Sequence, residues 1–170
     1  LVSEGVGPEV VFIPTKLNVN LAARVYRLAA RLGARVLATG PLMRLGRAGA
    51  AWDRLAPSAT EWARAVKALK AEAASIKDGP KLSIYPWGIQ AEIRTRLERP
   101  QAMVLIVPDG KVKLLNALPF APGDLRRHSL AQAWTRVLKA WQDPEVRRFC
   151  RKAVADPALL AHANETWPAA

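Results

Sequence analysis

Arg99-Pro100-Gln101-Ala102-Met103-Val104-Leu105-Ile106-Val107-Pro108-Asp109-Gly110-Lys111-Val112-Lys113-Leu114-Leu115 leads from a proline through an unbroken apolar segment to an Asp-Gly pair and a second strand-forming segment. Asp and Gly both tolerate the positive φ of a two-residue turn, so the pattern predicts a hairpin pairing residues 104–107 antiparallel with 112–115. The first arm has no polar alternation. It is therefore expected to be a central strand, buried on both faces in a sheet that helices cover.

Upstream, Glu9-Val10-Val11-Phe12-Ile13-Pro14 reads as a short buried strand. A helix over about 19–32 follows, with Asn18 as its N-cap, Gly33 as its stop, and Leu21, Val25, Leu28 and Leu32 on one face. Arg35-Val36-Leu37-Ala38-Thr39-Gly40 is a second strand, which completes a βαβ unit with parallel strands. The Gly/Arg-rich stretch 41–57 reads as irregular or partly helical. Ser58-Ala59-Thr60-Glu61 is a capping box and opens a helix to about Ile76, with Trp62, Val66, Leu69 and Ile76 inward; Asp78-Gly79-Pro80 ends it. A strand over 81–85 and a helix bearing Ile89, Ile93 and Leu97 lead to the hairpin. Beyond it, a helix capped by Ser129 buries Leu130, Trp134, Val137 and Trp141, and Asp143-Pro144 and Asp156-Pro157 each begin a short helix.

At 170 residues and 51% hydrophobic, the chain can bury a core without staples, and one domain over 1–170 is expected, with 1–8 flexible, 9–142 the core and 143–170 a helical extension. Cys150 is the sole cysteine, so neither a disulfide within the chain nor a Cys-x-x-Cys pair exists, and with His128 and His162 it makes no usual zinc set. No metal or cofactor is expected. No run reaches the roughly 18 apolar residues of a membrane span, and the start at Leu1 leaves room for a preceding export signal. The net charge of +12 is spread: residues 1–85 hold thirteen Lys/Arg against six Asp/Glu, and 86–170 hold thirteen against eight. It serves either a polyanion or a solvated surface.

The order βαβ, helix, strand, helix, hairpin, helix resembles a thioredoxin-like α/β fold with a helical insertion and a helical C-terminal extension. In that fold a proline, usually cis, precedes the first hairpin strand, which is the place of Pro100. The redox motif would fall at Thr15-Lys16-Leu17-Asn18, where no thiol stands, so thiolate chemistry is excluded. Over about 10–118 the chain also resembles the TrbC-type pilus-assembly proteins of F-type conjugative secretion systems, through Pro14, Leu32-Gly33, Gly40, Ile84-Tyr85-Pro86 and Pro100 followed by Ala102-Met103-Val104-Leu105. That resemblance implies an exported, periplasmic protein of a type IV secretion apparatus that works by contacts; without it a cytoplasmic location is the default.

Candidate chemistry is sparse. His128-Ser129 is the only adjacent His/Ser pair, but chain neighbours point apart and Ser129 caps a helix. Gly40, Gly46 and Gly49 do not follow the first strand closely enough to form a dinucleotide loop. The expectation is a non-enzymatic interaction subunit with a protein partner at Thr15, Lys16, Asn18, Pro86, Trp87 and Pro100, loops that the thioredoxin-like fold would bring together. Trp87 is the favoured anchor; the reading in which its ring caps the core stands beside it. The alternative is a nucleic-acid-binding subunit of a larger complex, using Arg24, Arg27, Arg31 and Arg35 with Arg147, Arg148, Arg151 and Lys152; the same stripes also read as the wet faces of amphipathic helices.

Overall fold

The chain reverses at Pro108-Asp109-Gly110, as the sequence requires, but through three residues rather than two. Gly110 N–H donates to Val107 O (2.8 Å) and Val107 N–H to Lys111 O (2.9 Å), and Gly110 takes φ +80° while Asp109 keeps a negative φ. This is the turn with a one-residue bulge, in which glycine alone supplies the left-handed conformation. The Asp109 carboxylate accepts from Lys111 N–H at 3.1 Å.

The computed structural model describes residues 4–86, 88–100 and 103–168. In chain order these form β1 (Glu9–Phe12), a 3-10 turn (Val19–Leu21) running into α1 (Ala22–Arg31), β2 (Val36–Thr39), α2 (Gly46–Ala50), α3 (Trp52–Leu55), α4 (Ala59–Ser75), β3 (Lys81–Ile84), α5 (Ile89–Glu98), β4 (Leu105–Ile106), β5 (Lys111–Lys113), β6 (Gly123–Asp124), α6 (Leu130–Ala140), α7 (Pro144–Ala155) and a 3-10 helix (Pro157–Asn164). The architecture is mixed α/β. Where length favours one domain, the chain packs as two units, Leu1–Leu42 with Trp52–Gly88 and Met43–Ala51 with Ile89–Ala170.

The first unit is a parallel sheet in the order β1-β2-β3, with Val10, Leu37 and Leu82 in register and Phe12, Thr39 and Ile84 two residues on. β1 and β2 are parallel, as the βαβ reading expects. Val10, Phe12, Leu37 and Leu82 join α1 and α4 in one core. Residues of the other parity are not buried: Val11 is 65% exposed, which corrects the expectation of a buried first strand. The face of α1 is also corrected. Ala22, Tyr26 and Ala29 are buried, and Leu21, Leu28 and Leu32 are exposed. The helix turns its small residues inward because alanines allow close approach to α4 and the sheet. Tyr26 anchors it, donating its hydroxyl to Pro80 O at 2.7 Å in the core. The helix ends with Gly33 at φ +69°, where Gly33 N–H donates to Ala30 O and Ala34 N–H to Ala29 O, both 3.0 Å, the paired closure that favours glycine. The Ser58–Glu61 capping box of α4 is present as expected.

The second unit holds the hairpin in its own antiparallel sheet, β4-β5-β6. β4 is thus an edge strand with Ile106 49% exposed, and not a central strand buried on both faces; the third strand, β6, pairs on the far side of β5. Among the described residues no peptide bond is cis, so Arg99–Pro100 is trans, against expectation. Val112, Leu114 and Leu115 build the core with Ala133, Val137, Ala140 and Trp141 of the α6 segment, and with Ile89 and Ile93 of α5. Leu130 is 56% exposed and Trp134 half-buried, so the buried face of α6 again runs through alanines. Helix α7 and the final 3-10 helix contribute Val146, Cys150, Ala153 and Leu160 to this core and are part of it rather than an appendage. The 41–57 stretch divides between the units. Its α2 crosses the 3-10 helix so closely that a Cβ on Gly49 would lie 3.3 Å from Ala161 Cα, which accounts for the glycine there. The Ser129 and Asp143 caps are formed as expected, and Ser129 completes a capping box with Gln132 that the sequence reading did not include.

Candidate functional site

Three parallel strands in the order β1-β2-β3 deliver their carboxyl ends to one edge of the sheet, and the loops that leave them carry Thr15, Lys16, Asn18 and Pro86 of the residues singled out from sequence as a partner site. In open parallel sheets ligands bind beyond the carboxyl ends of the strands. After β1, Pro14 is buried, and Asn18 ties the following turn. Its side-chain oxygen accepts from Thr15 N–H (2.7 Å) and Thr15 Oγ1 (3.2 Å), and its Nδ2 donates to Ile13 O (3.1 Å). Asn18 therefore does not cap the helix as expected, since its side chain is spent on the loop. Lys16 is held on the other side by its N–H to Leu55 O and its Nζ to Asp53 O, both 2.8 Å. The result is a loop fixed by side-chain and backbone bonds that presents Leu17, 73% exposed, beside Ile13, 53% exposed.

After β3, Tyr85 N–H donates to Thr39 O at 2.8 Å, extending the sheet by one bond, and Thr39 Oγ1 donates to Phe12 O at 2.8 Å in the interior. Gly40 lets the two chains meet: a Cβ there would be 3.0 Å from Tyr85 Cβ. Tyr85 is 57% exposed and Pro86 is exposed. Trp87, the favoured anchor, lies outside the described residues. Pro100 is exposed at the end of α5 and belongs to the other unit. The structure thus brings Thr15, Lys16, Asn18 and Pro86 to one sheet edge. It adds Ile13, Leu17 and Tyr85, which the sequence reading missed because an apolar residue after a strand looks the same whether it turns inward or outward.

The arginines separate differently. Arg24, Arg27 and Arg31 line one cleft of about 520 Å³ with Lys77 and Asp78. Arg27 pairs with Glu72 at 3.0 Å, whereas Arg24 and Arg31 have no partner among the described residues. Arg35 does not join them; it pairs with Glu9 at 2.9 Å across β1 and β2. In the second unit Arg147 is structural, donating from Nη1 to Leu97 O (3.1 Å) and Trp141 O (3.3 Å), and Arg148 pairs with Glu145 at 3.1 Å. Arg151 and Lys152 are exposed on α7.

Reactive groups are placed structurally. Burial pushes the Cys150 thiol up to about 12, leaving no thiolate at neutral pH. Lys113 is 4% exposed, its pKa lowered by burial, and its Nζ donates to Ala163 O and to Glu165 O (3.0 Å), tying the C-terminal segment to β5. His128 Nδ1 accepts from Asp124 N–H at 3.1 Å, not from Ser129. Trp167 meets Phe120 and Phe149 edge-on. Among the described residues no group of three or more His, Cys, Asp or Glu is placed to hold a metal ion, and no helix is long and apolar enough to cross a membrane. No family model matches the chain, and neither a curated protein nor a solved structure matches it significantly.

Proposed function

We propose that this protein is a non-catalytic interaction subunit of a larger assembly, which binds a protein partner through the loops at the carboxyl end of its parallel sheet. The observation that carries the reading is the pairing of fixed backbone with exposed apolar area. The 13–18 loop is tied by three bonds to the Asn18 side chain, yet leaves Ile13 and Leu17 more than half exposed, with Tyr85 likewise exposed at the same edge. Rigid apolar anchors of this kind lose little entropy on binding, the usual make-up of an interface hot spot. Leu17→Glu with Tyr85→Ala should abolish association with the partner and leave the melting temperature unchanged, because neither side chain joins the core. A fall in melting temperature with retained association would refute the reading.

A finer placement, as a thioredoxin-like subunit of a conjugative type IV secretion apparatus acting in the periplasm, is supported by the sequence resemblance. Pro14, Leu32-Gly33, Gly40 and Ile84-Tyr85-Pro86 fall at the ends of β1, α1, β2 and β3. The trans Arg99–Pro100 bond and the hairpin's separate sheet depart from the thioredoxin-like pattern. The alternative, a basic nucleic-acid-binding subunit, draws on the cleft that gathers Arg24, Arg27, Arg31 and Lys77. Among the described residues no aromatic lines that cleft for base stacking.

A further inference from the structure

Helix α1 carries two exposed features on adjoining sides. At 37%, 46% and 61% exposure, Leu21, Leu28 and Leu32 form an apolar stripe at i, i+7 and i+11, with half-buried Val25 between them. About a quarter-turn away, by the helical spacing of 3.6 residues per turn, stand Arg24, Arg27 and Arg31. These are the residues that meet Lys77 in the cleft. The opposing charges are few: Glu72, already paired with Arg27, and Asp78 on the cleft's rim.

We propose that α1 is a docking face for an anionic lipid surface, its arginines meeting headgroup phosphates and its leucines entering the interfacial apolar layer. Charge complementarity selects this occupant. A nucleic-acid strand would engage the arginines and leave the leucine stripe in water. An apolar groove on a protein would take the leucines but leave Arg24 and Arg31 without counter-ions. Helices that lie in the membrane interface combine a leucine-rich side with a basic one, and each Lys or Arg near an anionic leaflet adds attraction. The stripe and the row sit on one rigid helix whose opposite side is fixed by Ala22, Tyr26 and Ala29, so docking requires no rearrangement of the core.

The test is sedimentation of the full chain with vesicles of phosphatidylcholine alone and of an equal mixture with phosphatidylglycerol. The mixed vesicles should bind it and the neutral ones should not. Arg24→Gln with Arg31→Gln should weaken binding about 30-fold, from the contribution of two cations near an anionic surface. Arg24→Lys with Arg31→Lys should restore it. Leu28→Ser with Leu32→Ser should weaken it by roughly tenfold or more, since two apolar side chains no longer leave water. All six substitutions are at exposed positions and should leave the melting curve in place. Absence of binding to the mixed vesicles overturns the proposal. So does binding that the leucine pair does not change, which would reduce it to attraction of the whole +12 chain. Tighter, arginine-dependent binding of a single-stranded oligonucleotide would assign the cleft to nucleic acid instead. The substituted residues, Arg24, Leu28, Arg31 and Leu32, are not among those placed at the carboxyl edge of the sheet, so failure here leaves the protein-contact reading untouched.

Discussion

Phe120→Ala is expected to lower stability by about 3–5 kcal/mol, read from denaturant unfolding of the unit that contains it. Phe120 is 9% exposed, and its ring meets Phe149 at 5.2 Å and Trp167 at 5.8 Å, both edge-on; Phe149 and Trp167 meet each other at 5.6 Å. The three rings thus form a closed set, and edge-to-face contacts add to the area they bury. Truncation also loosens the chain's end. Ala121 N–H donates to Trp167 O and Trp167 N–H to Pro119 O, both 2.7 Å, so Phe120 is itself the bridge partner of residue 167. A loss below about 1 kcal/mol would show that the aromatic set does not anchor the C-terminal segment.

Leu37→Ala should cost about 2–5 kcal/mol. Leu37 is fully buried at the middle of the central strand, with Val10 and Leu82 beside it in register and α1 and α4 above. No neighbour can close the cavity without moving the sheet. By contrast, the exposed leucines of α1 should tolerate Ser within about 0.5 kcal/mol. Equal costs at Leu37 and Leu28, measured by thermal melting, would mean that the orientation of α1 is wrong.

That contrast marks what the sequence could convey. Periodicity located α1, but two apolar faces were available to it: the leucines at 21, 28 and 32 and the narrower set Ala22, Tyr26 and Ala29. Residue size favours the first; close packing against α4 selects the second. The same substitution of alanines for larger residues recurs on α6. Caps were legible because their chemistry is local: Ser58 with Glu61, Ser129 at the start of α6, and Asp143 before Pro144 all act within three residues. Strand partners were not legible beyond the first pair. The hairpin was secure, but whether β4 lay at a sheet's centre or edge depended on β6, a two-residue strand at Gly123–Asp124 with no apolar pattern. At the candidate site, Thr15, Lys16, Asn18 and Pro86 were singled out through the thioredoxin-like resemblance, by the place it gives to the loops after the first and third strands. Leu17 and Tyr85 needed the fold, because their exposure follows from the parity of β1 and β3 and from the tied loop after Pro14.

The central claim is that the carboxyl edge of the parallel sheet contacts a protein partner, and site-specific photo-crosslinking in the producing cell tests it most directly. A photoreactive side chain would be placed singly at Leu17, at Tyr85 and, as a control, at Glu145 on α7, whose side chain is 81% exposed. The account predicts one discrete adduct shared by positions 17 and 85 and absent from position 145. Identical adducts from all three positions, or none from the sheet edge, would contradict it.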